Sequence, residues 1–332
     1  MKKVLLITTG GTIASIKTEE GLIPSLDGNK LLSFIPQIKE LCHVDVKFLF
    51  NLDSTNVYYK HWLLLAEEIK NNYDLYDGFI ITHGTDTMGY TASALSYLIQ
   101  NSRKPIILTG AQKPINLEIS DAKTNLLDSF IYASSDIAKG VVLIFNGNVI
   151  LGTRARKTRS KSFAAFSSIN YPKVAIIQDG NIIPYITNLS DDTKFYDSLN
   201  PKVGLLKLIP GTDDSILEFM LNKYDGLVIE SFGVGGVPQY DGTRFNEIID
   251  KYTELGKVIV MTTQVPNEGS DIAIYNVGHY LKQNPKILEA YDMTTESVVT
   301  KLMWALANMN DEKDIKKLFY RTISNDILFR KK

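Results

Sequence analysis

The sequence predicts an α/β protein of two domains: a larger N-terminal one with a mixed, mostly parallel sheet flanked by helices, and a smaller C-terminal one with a parallel sheet. Three observations lead to this prediction. The chain has 332 residues, and about 150 residues per domain is the usual expectation. Short apolar runs alternate with segments of helical period, as in βαβ units. A polar stretch at residues 187–202 divides the alternation into two series.

In the first series, four apolar runs of strand length are each followed by a segment of helical period. Because these runs are continuously apolar, we expect parallel strands covered by helices on both faces. The predicted strands are residues 3–8, 44–50, 78–82 and 105–109, and the predicted helices are residues 29–41, 59–72, 89–100 and 121–134.

Two hairpin signals follow. Asn146-Gly147 and Asp179-Gly180 each stand between two apolar runs, and these dipeptides favour the tight turns of β-hairpins. We therefore expect antiparallel strands at residues 140–145, 149–151, 174–178 and 181–185, added to the parallel sheet.

The second series repeats the α/β pattern. Its predicted strands are residues 203–208, 227–230 and 258–262, and its predicted helices are residues 215–222, 245–255 and 294–308. The sequence thus predicts an N-terminal domain at residues 1–186, a linker at 187–202 and a C-terminal α/β domain at 203–332.

Composition narrows the functional classes. Lys and Arg number 36 and Asp and Glu 37, a net charge of −1, which argues against a nucleic-acid binder because such proteins usually carry a basic excess. The single Cys42 cannot form an internal disulfide. The apolar run at residues 4–7 is too short for a signal peptide, and no run reaches the roughly 18 residues of a membrane helix. We therefore expect a cytoplasmic protein with neither nucleic-acid nor membrane partners.

Three loops rich in Gly, Thr, Ser and Asp follow three of the predicted parallel strands, at residues 8–15, 51–55 and 83–87. Ligands of open parallel sheets bind beyond the carboxyl ends of the strands. We expect the three loops to converge at that edge, where backbone N–H groups and hydroxyls suit a small anionic or zwitterionic ligand.

No sequence motif indicates a bound cofactor or metal ion. The glycine pairs fit neither GxGxxG nor GxxxxGK[ST], and no GxSxG motif is present. The four histidines lack the spacing of metal ligands, so neither a cofactor nor a metal is expected. They are His43, His61, His83 and His279. We interpret His83, in a site loop, as a histidine packed at a strand end.

The remaining candidate for a catalytic group is a threonine hydroxyl. Thr85 and Asp86 put a hydroxyl beside a carboxylate, and a threonine becomes a nucleophile when a base takes its proton. A desolvated lysine near the loop could supply that base. From spacing alone, each loop by itself is better explained as a turn whose hydroxyls bind backbone groups.

Considered together, the loops resemble a known family. Residues 9–14 (TGGTIA) and 77–88 (DGFIITHGTDTM) are similar to the two threonine signatures of bacterial L-asparaginases, in the same order. Further similar stretches are residues 104–112 (KPIILTGAQ), 232–235 (FGVG), 292–294 (DMT) and 300–302 (TKL), the last two resembling the cytosolic type I branch. The chain is identified as a member of the asparaginase/glutaminase family, of the bacterial type I (cytosolic) branch.

The resemblance implies hydrolysis of L-asparagine, and more weakly of L-glutamine, without a cofactor, by a homodimer or homotetramer. It implies Thr12 as nucleophile, with Thr85, Asp86 and the lysine of an R-x-x-K stretch, Lys157, as the other catalytic residues. Ser54 would bind the substrate α-carboxylate and Asp86 the α-ammonium. The further substrate-binding residues implied are Gly11, Asp53, Thr55, Gly84 and Ala111.

Some positions depart from the family pattern. Leu22 stands where many relatives have a tyrosine that assists the nucleophile, and Glu230 and Val265 stand at the arginine and cysteine of an allosteric site, which is therefore not expected. Lys157 lies in a basic run of the kind that is usually solvated.

Two alternatives stay open. The Leu22 position favours an amino-acid sensor that binds without hydrolysis. An asparaginase-like subunit of a tRNA-dependent amidotransferase is the second alternative. Two observations argue against it. The charge is balanced, and such subunits are expected to carry an extra N-terminal domain, whereas the first signature here begins near residue 8.

Overall fold

A computed structural model describes residues 1–18, 21–24, 27–187, 192–240, 242–274, 276–309 and 311–328. The chain divides into two compact units, Met1–Asp197 and Ser198–Lys332. Each unit is an α/β structure, and the predicted fold class is confirmed: a large mixed sheet with helices in the first unit and a parallel sheet in the second.

The first unit contains helices on both sides of one large sheet, together with short two-stranded sheets. Its strands are β1 (Lys2–Gly10), β2 (Ser15–Thr18), β3 (Gly21–Pro24), β4 (Cys42–Leu52), β5 (Gly78–Thr82), β6 (Ile99–Gln100), β7 (Pro105–Thr109), β8 (Gly140–Phe145), β9 (Asn148–Leu151), β10 (Ala155–Lys157), β11 (Phe166–Ser168), β12 (Ala175–Gln178), β13 (Asn181–Pro184) and β14 (Lys194–Phe195). Its helices are α1 (Gly28–Ser33), α2 (Ile38–Leu41), α3 (Tyr59–Asn72), α4 (Met88–Leu98) and α5 (Ala122–Ala133).

The large sheet has the strand order β13-β12-β9-β8-β7-β5-β1-β4. In this order, neighbouring strands pair in parallel from β8 through β7, β5 and β1 to β4. The pairs β8–β9, β9–β12 and β12–β13 are antiparallel. In register, Thr8 of β1 lies between Phe48 of β4 and Thr82 of β5. The carboxyl ends of β4, β1 and β5 are therefore neighbours at one edge of the sheet.

Apolar periodicity explains these elements. β5 and β7 are buried at every residue, as expected of strands covered on both faces. Helix α3 buries Trp62, Leu65, Ala66 and Ile69, which recur at helical spacing on one face. Both predicted hairpins are confirmed: their turns are the dipeptides Asn146-Gly147 and Asp179-Gly180, in which both residues have positive φ, as type I′ turns require.

Two predicted helices are wrong in extent. The single helix predicted at residues 29–41 is two helices, α1 and α2, because Pro36 lies in the predicted helix and lacks the N–H that a helix interior needs. The helix predicted at 89–100 ends at Leu98, since Ile99 and Gln100 are extended and pair with β14.

The predicted linker at residues 187–202 overlaps this pairing. Its residues 188–191 lie outside the described residues, while Lys194–Phe195 forms β14. The boundaries at 186 and 202 remain predictions. In the described part of the chain, no helix has both the length and the apolar character needed to cross a membrane.

The second unit has a four-stranded sheet with the order β15-β16-β17-β18, parallel throughout. Its strands are β15 (Val203–Lys207), β16 (Gly226–Ser231), β17 (Val258–Thr263) and β18 (Leu288–Glu289), and its helices are α6 (Asp214–Lys223), α7 (Phe245–Glu254), α8 (Asn276–Gln283), α9 (Thr295–Asn308) and α10 (Glu312–Phe319). β16 and β17 are fully buried, as their apolar sequences predict.

Candidate active site

The three polar loops converge at the carboxyl edge of the large sheet, as predicted. The loop after β1 joins the end of β4 through a hydrogen bond from the Gly11 N–H to the Leu52 carbonyl, 3.2 Å long. The loop after β5 joins the loop after β4 through the Thr87 hydroxyl, which donates to the Ser54 carbonyl at 2.7 Å. Backbone hydrogen bonds and short side chains therefore hold the loops together.

Glycines allow this close approach. Gly11 has a φ of +82°, and a Cβ atom at this position would collide with the backbone nitrogen of Gly84. A Cβ atom on Gly84 would in turn lie 2.7 Å from both Cβ and Oγ of Ser54. Only a residue without a side chain fits at either position. Thr12 and Thr85 each follow one of the two glycines that touch, so the two threonines occupy adjacent places in the site.

Lys157 joins Thr85 and Asp86. The lysine Nζ donates to Thr85 Oγ1 at 2.7 Å and to Asp86 Oδ1 at 2.6 Å. Its side chain is 17% exposed, so the solvated position that its basic run suggests does not apply to Lys157. The structure thus brings three of the four predicted catalytic residues into direct contact.

A short hairpin presents the lysine. Lys157 is the last residue of β10, which pairs antiparallel with β11, with Lys157 opposite Phe166. Arg154, which begins the R-x-x-K stretch, is fully buried, and its guanidinium lies 5.7 Å from the centre of the Tyr171 ring. The basic run therefore begins inside the protein rather than at its surface.

Ser54 is buried next to Asp86. Its Oγ accepts the backbone N–H of Asp86 at 3.2 Å. Among the described residues, no acceptor receives the hydroxyl hydrogen of Ser54, which can therefore point to a ligand. Asp53 Oδ1 accepts both the N–H and the hydroxyl of Thr55 at 2.8 Å, so these two predicted binding residues form the turn that presents Ser54.

Thr12 opens a single 3-10 turn, Thr12–Ala14, and is half-buried. Beneath it, the Ser15 hydroxyl donates to the Gly11 carbonyl at 2.9 Å. Within the described residues, nothing hydrogen-bonds to the Thr12 hydroxyl. The Gly11 N–H is already bound to Leu52, whereas the N–H groups of Thr12 and Thr85 have no backbone acceptor among the described residues and remain available to an anion.

His83 is a packed histidine, and its interpretation from the sequence is confirmed. It is fully buried, with Nδ1 2.7 Å from the Gly84 carbonyl and Nε2 3.0 Å from Thr91 Oγ1. Burial lowers the pKa of the imidazole to about 4. A neutral ring donates from Nδ1 and accepts at Nε2, so His83 supports the loop after β5 and is not available as an acid near pH 7.

Gln112 also belongs to the site: it ends the family-like stretch at residues 104–112, but the sequence assigned it no role. It follows Ala111, a predicted binding residue that is buried after β7. Gln112 Oε1 accepts the hydroxyl of Thr85 at 3.2 Å. Its position indicates this role: Gln112 lies shortly after β7, the fourth parallel strand along the chain, where a polar side chain can reach the same edge of the sheet.

The two tyrosines that follow the loop after β4 are accounted for by α3. Tyr58 is the N-cap residue of α3 and lies against the ring of His61, and Tyr59 begins the helix. Leu22, at the family's tyrosine position, lies on β3, and its side chain is outside the described part of the chain. Over the described residues, no three His, Cys, Asp or Glu side chains are grouped to hold a metal ion.

Both parts of the chain match family models. Residues 3–189 match the model of the asparaginase N-terminal domain, and residues 202–319 match that of the glutaminase/asparaginase C-terminal domain. The chain is 37% identical to the L-asparaginase of Thermococcus kodakarensis over 330 residues, which cover 98% of this chain and 99% of that protein. It is also 32% identical to a glutamyl-tRNA(Gln) amidotransferase subunit of Pyrococcus abyssi over 346 residues, 98% of this chain and 77% of that protein.

Solved structures agree with these matches. The thermostable L-asparaginase from Thermococcus kodakarensis has a TM-score of 0.93 at 35% identity, covering 99% of this chain and 100% of that chain. L-asparaginase I from Vibrio cholerae has a TM-score of 0.87 at 28% identity, covering 99% of both chains. With two family models matched in order and the threonine signatures lining one edge of the sheet, the chain belongs to the asparaginase/glutaminase family.

Proposed function

We propose that the protein hydrolyses L-asparagine to L-aspartate and ammonia with a threonine nucleophile. The observation that carries this proposal is the contact of Lys157 with both Thr85 and Asp86, at 2.7 and 2.6 Å. A cation held between a hydroxyl and a carboxylate, with a second hydroxyl free on the adjoining loop, is a set of groups that can carry out amide hydrolysis. The family and the similarity to L-asparaginases support the same activity.

The substrate would be held by its amino-acid end. Asp86 binds Lys157 with Oδ1, and its side chain is 58% exposed, so its second oxygen is available to the α-ammonium of asparagine. The hydroxyl hydrogen of Ser54 is available to the α-carboxylate. Gly11, Gly84 and Ala111 would shape the pocket by their small size. This arrangement selects an amino acid over a simple amide, because the simple amide leaves polar groups of the site unpaired.

We assign the attack to Thr12, because its hydroxyl carries no hydrogen bond among the described residues while that of Thr85 is held by Lys157. As Thr12 Oγ bonds to the amide carbon, its proton passes to Thr85 and the unprotonated form of Lys157. The N–H groups of Thr12 and Thr85 would stabilise the oxyanion. The proton then goes to the leaving nitrogen, the C–N bond breaks, and ammonia departs. Water hydrolyses the ester and releases aspartate.

Ammonia release from L-asparagine by the purified protein tests this proposal, with Thr12→Ala as the matched variant. We expect turnover in the wild-type protein and background release in the variant. If the wild-type protein binds aspartate in calorimetry and releases no ammonia, the protein is instead the amino-acid sensor that Leu22 suggested. A covalent aspartyl adduct on the peptide that contains Thr12, detected by mass spectrometry after acid quenching, would assign the nucleophile.

Glutamine is the second substrate to compare. It has one more methylene than asparagine, and such a difference in a pocket is worth about 1–3 kcal/mol. We propose asparagine as the preferred amide, and steady-state kinetics with both amides would test that preference. We further propose a cytoplasmic homodimer or homotetramer of the type I branch, and sedimentation velocity of the purified protein would test its oligomeric state.

A second candidate is an amide-hydrolysing component of a glutamyl-tRNA(Gln) amidotransferase. The 32% identity to the amidotransferase subunit from Pyrococcus abyssi favours it. The net charge of −1 gives no support for binding of tRNA. Ammonia release from free asparagine by this chain alone, at a rate that added tRNA does not change, would favour the free amidohydrolase. Activity that appears only with tRNA and partner proteins would favour the amidotransferase.

A further inference from the structure

Gln112 lies between the Thr85–Lys157 pair and the loop that follows Lys157. Its Nε2 donates to two carbonyls of that loop, those of Ser160 and Ser162, both at 3.1 Å. A carboxamide nitrogen has two hydrogens, and both are used here. The carboxamide orientation is thereby fixed by its partners, and Oε1 must be the atom that faces Thr85.

This orientation determines the position of the Thr85 proton. Oε1 can only accept, so Thr85 Oγ1 donates its single hydrogen to Gln112, at 3.2 Å. The lone pairs of Thr85 Oγ1 are then left to accept from Lys157 Nζ. The network therefore holds the Thr85 hydroxyl proton on the side of Gln112, pointing away from Lys157.

The backbone of Gln112 is held in place as firmly as its side chain. Its N–H donates to both carboxylate oxygens of Asp121, at 3.1 and 3.0 Å. Asp121 also accepts a hydrogen bond from Asn125 Nδ2 at 3.1 Å. The same Nδ2 donates to the carbonyl of Gly110, two residues before Gln112, at 3.0 Å. The glutamine is thus a fixed element, and the Thr85 hydroxyl adjusts to it.

We propose that Gln112 is a positioning residue that orients the Thr85 proton and thereby sets the pH at which the Thr85–Lys157 pair becomes a base. The inference rests on the proposed function, in which the unprotonated lysine accepts a proton through Thr85. Transfer of the Thr85 proton to the unprotonated lysine needs that hydrogen turned toward Lys157 Nζ, and Gln112 Oε1 competes for the hydrogen. Other charged side chains on the segments around the pair stay the same in every variant below; they are Asp86, Lys113, Asp121, Arg156, Arg159 and Lys161.

Two near-isosteric variants are expected to move the acid limb of the kcat–pH profile in opposite directions. Gln112→Met removes the competing acceptor, so the limb should shift to lower pH by about half a unit, the scale of one hydrogen bond. Gln112→Glu puts a carboxylate beside the ammonium, so the limb should shift to higher pH by about one unit. Gln178→Glu, which changes an exposed glutamine at the end of β12, is the control and should shift neither limb.

Opposite shifts support the inference, and any other pattern overturns it, including two unshifted limbs or two shifts of the same sign. A purely structural glutamine would lower kcat in Gln112→Met and leave its limb in place. The shift expected for Gln112→Glu follows from its charge, so Gln112→Met decides the inference. If Gln112→Met does not fold, Gln112→Leu, which also lacks the acceptor, takes its place. If the wild-type protein releases no ammonia, the proposed function fails, and the titration midpoint of the Lys157 Cε signal by ¹³C NMR in the same variants tests the inference separately.

Discussion

Lys157 and Thr85 are 72 positions apart in the chain, yet the Nζ of the lysine lies 2.7 Å from the Oγ1 of the threonine. The contact joins the hairpin β10–β11 to the loop after β5. Each of these two segments could by itself be an ordinary surface loop, and the contact joins them in one site. Asp86 Oδ1 lies 2.6 Å from the same lysine nitrogen.

Removing either member of this pair should abolish turnover without unfolding the protein. Lys157→Met keeps the volume of the side chain and removes its charge, and Thr85→Val keeps the shape and removes the hydroxyl. Loss of a group that moves a proton in the transition state costs about 10²–10⁴-fold in rate. We expect kcat for asparagine to fall by at least about 100-fold in each variant, measured by ammonia release.

Lys157→Arg provides the matched control for charge. It keeps a cation near Asp86 but cannot serve as a base at the position of Nζ, so it should be nearly as inactive as Lys157→Met. Circular dichroism and melting temperature should match the wild-type protein for all three. Full activity of Lys157→Met would remove the lysine from the mechanism.

Ser54→Ala should weaken substrate binding more than it slows chemistry. The Ser54 hydroxyl is buried and keeps its hydrogen available to the α-carboxylate of the substrate. A hydrogen bond to a charged group contributes about 1.5–3 kcal/mol. We expect KM for asparagine to rise about tenfold or more, with kcat changed far less. An unchanged KM would place the α-carboxylate elsewhere.

Gly84→Ala tests the close packing of the loops. The added Cβ would lie 2.7 Å from the Cβ and Oγ atoms of Ser54, so one of the two loops must move. We expect a rise in KM with the fold retained. Gly180→Ala is the control: its φ of +74° strains an added side chain and should lower stability, but it lies in the remote β12–β13 turn, so KM should not change. Equal KM values for the two variants would contradict the packing argument.

Asp128→Asn should stabilise the protein at high pH. Asp128 is buried on α5, and burial raises the pKa of its carboxyl from 3.8 to about 6, with the Gly147 N–H opposing part of that rise. A raised folded-state pKa means that stability present at low pH is lost as pH rises through about 6. Asparagine stays neutral, so the gain in the free energy of unfolding should reach about 3 kcal/mol at pH 8 and vanish near pH 4.

Urea unfolding at several pH values would measure this difference. His83 titrates in the opposite sense, because its lowered pKa makes stability fall as pH drops from about 6.5 to about 4. It is present in both proteins, so its contribution cancels in the comparison. Asp74→Asn, the same change at an exposed position, is the matched control for the substitution itself. A gain for Asp128→Asn that is equal at pH 4 and pH 8 would contradict the burial argument.

Sequence reasoning predicted the convergence of the loops because that convergence follows from local patterns. Continuous apolar runs separated by helices imply parallel strands, and parallel strands bring their carboxyl ends to one edge. The hairpin turns were equally local, since Asn146-Gly147 and Asp179-Gly180 fix their own backbone shape.

Properties that depend on tertiary contacts were not accessible in the same way. The charge pattern alone suggested a solvated Lys157, and only the resemblance to a family signature identified it. Gln112 was overlooked because its role arises from two carbonyls nearly 50 positions later in the chain. Asp128 carries no motif at all, and its raised pKa comes entirely from the surroundings that the fold provides.

One measurement tests hydrolysis of L-asparagine most directly: the release of ammonia and aspartate by the purified chain, followed together at neutral pH without added metal or cofactor. We predict that the two products form in equal amounts and that Thr12→Ala reduces both to background. We also predict that ammonia forms faster from L-asparagine than from L-glutamine at the same concentration. Absence of ammonia from the wild-type protein, or a Thr12→Ala variant as active as the wild type, would contradict the account.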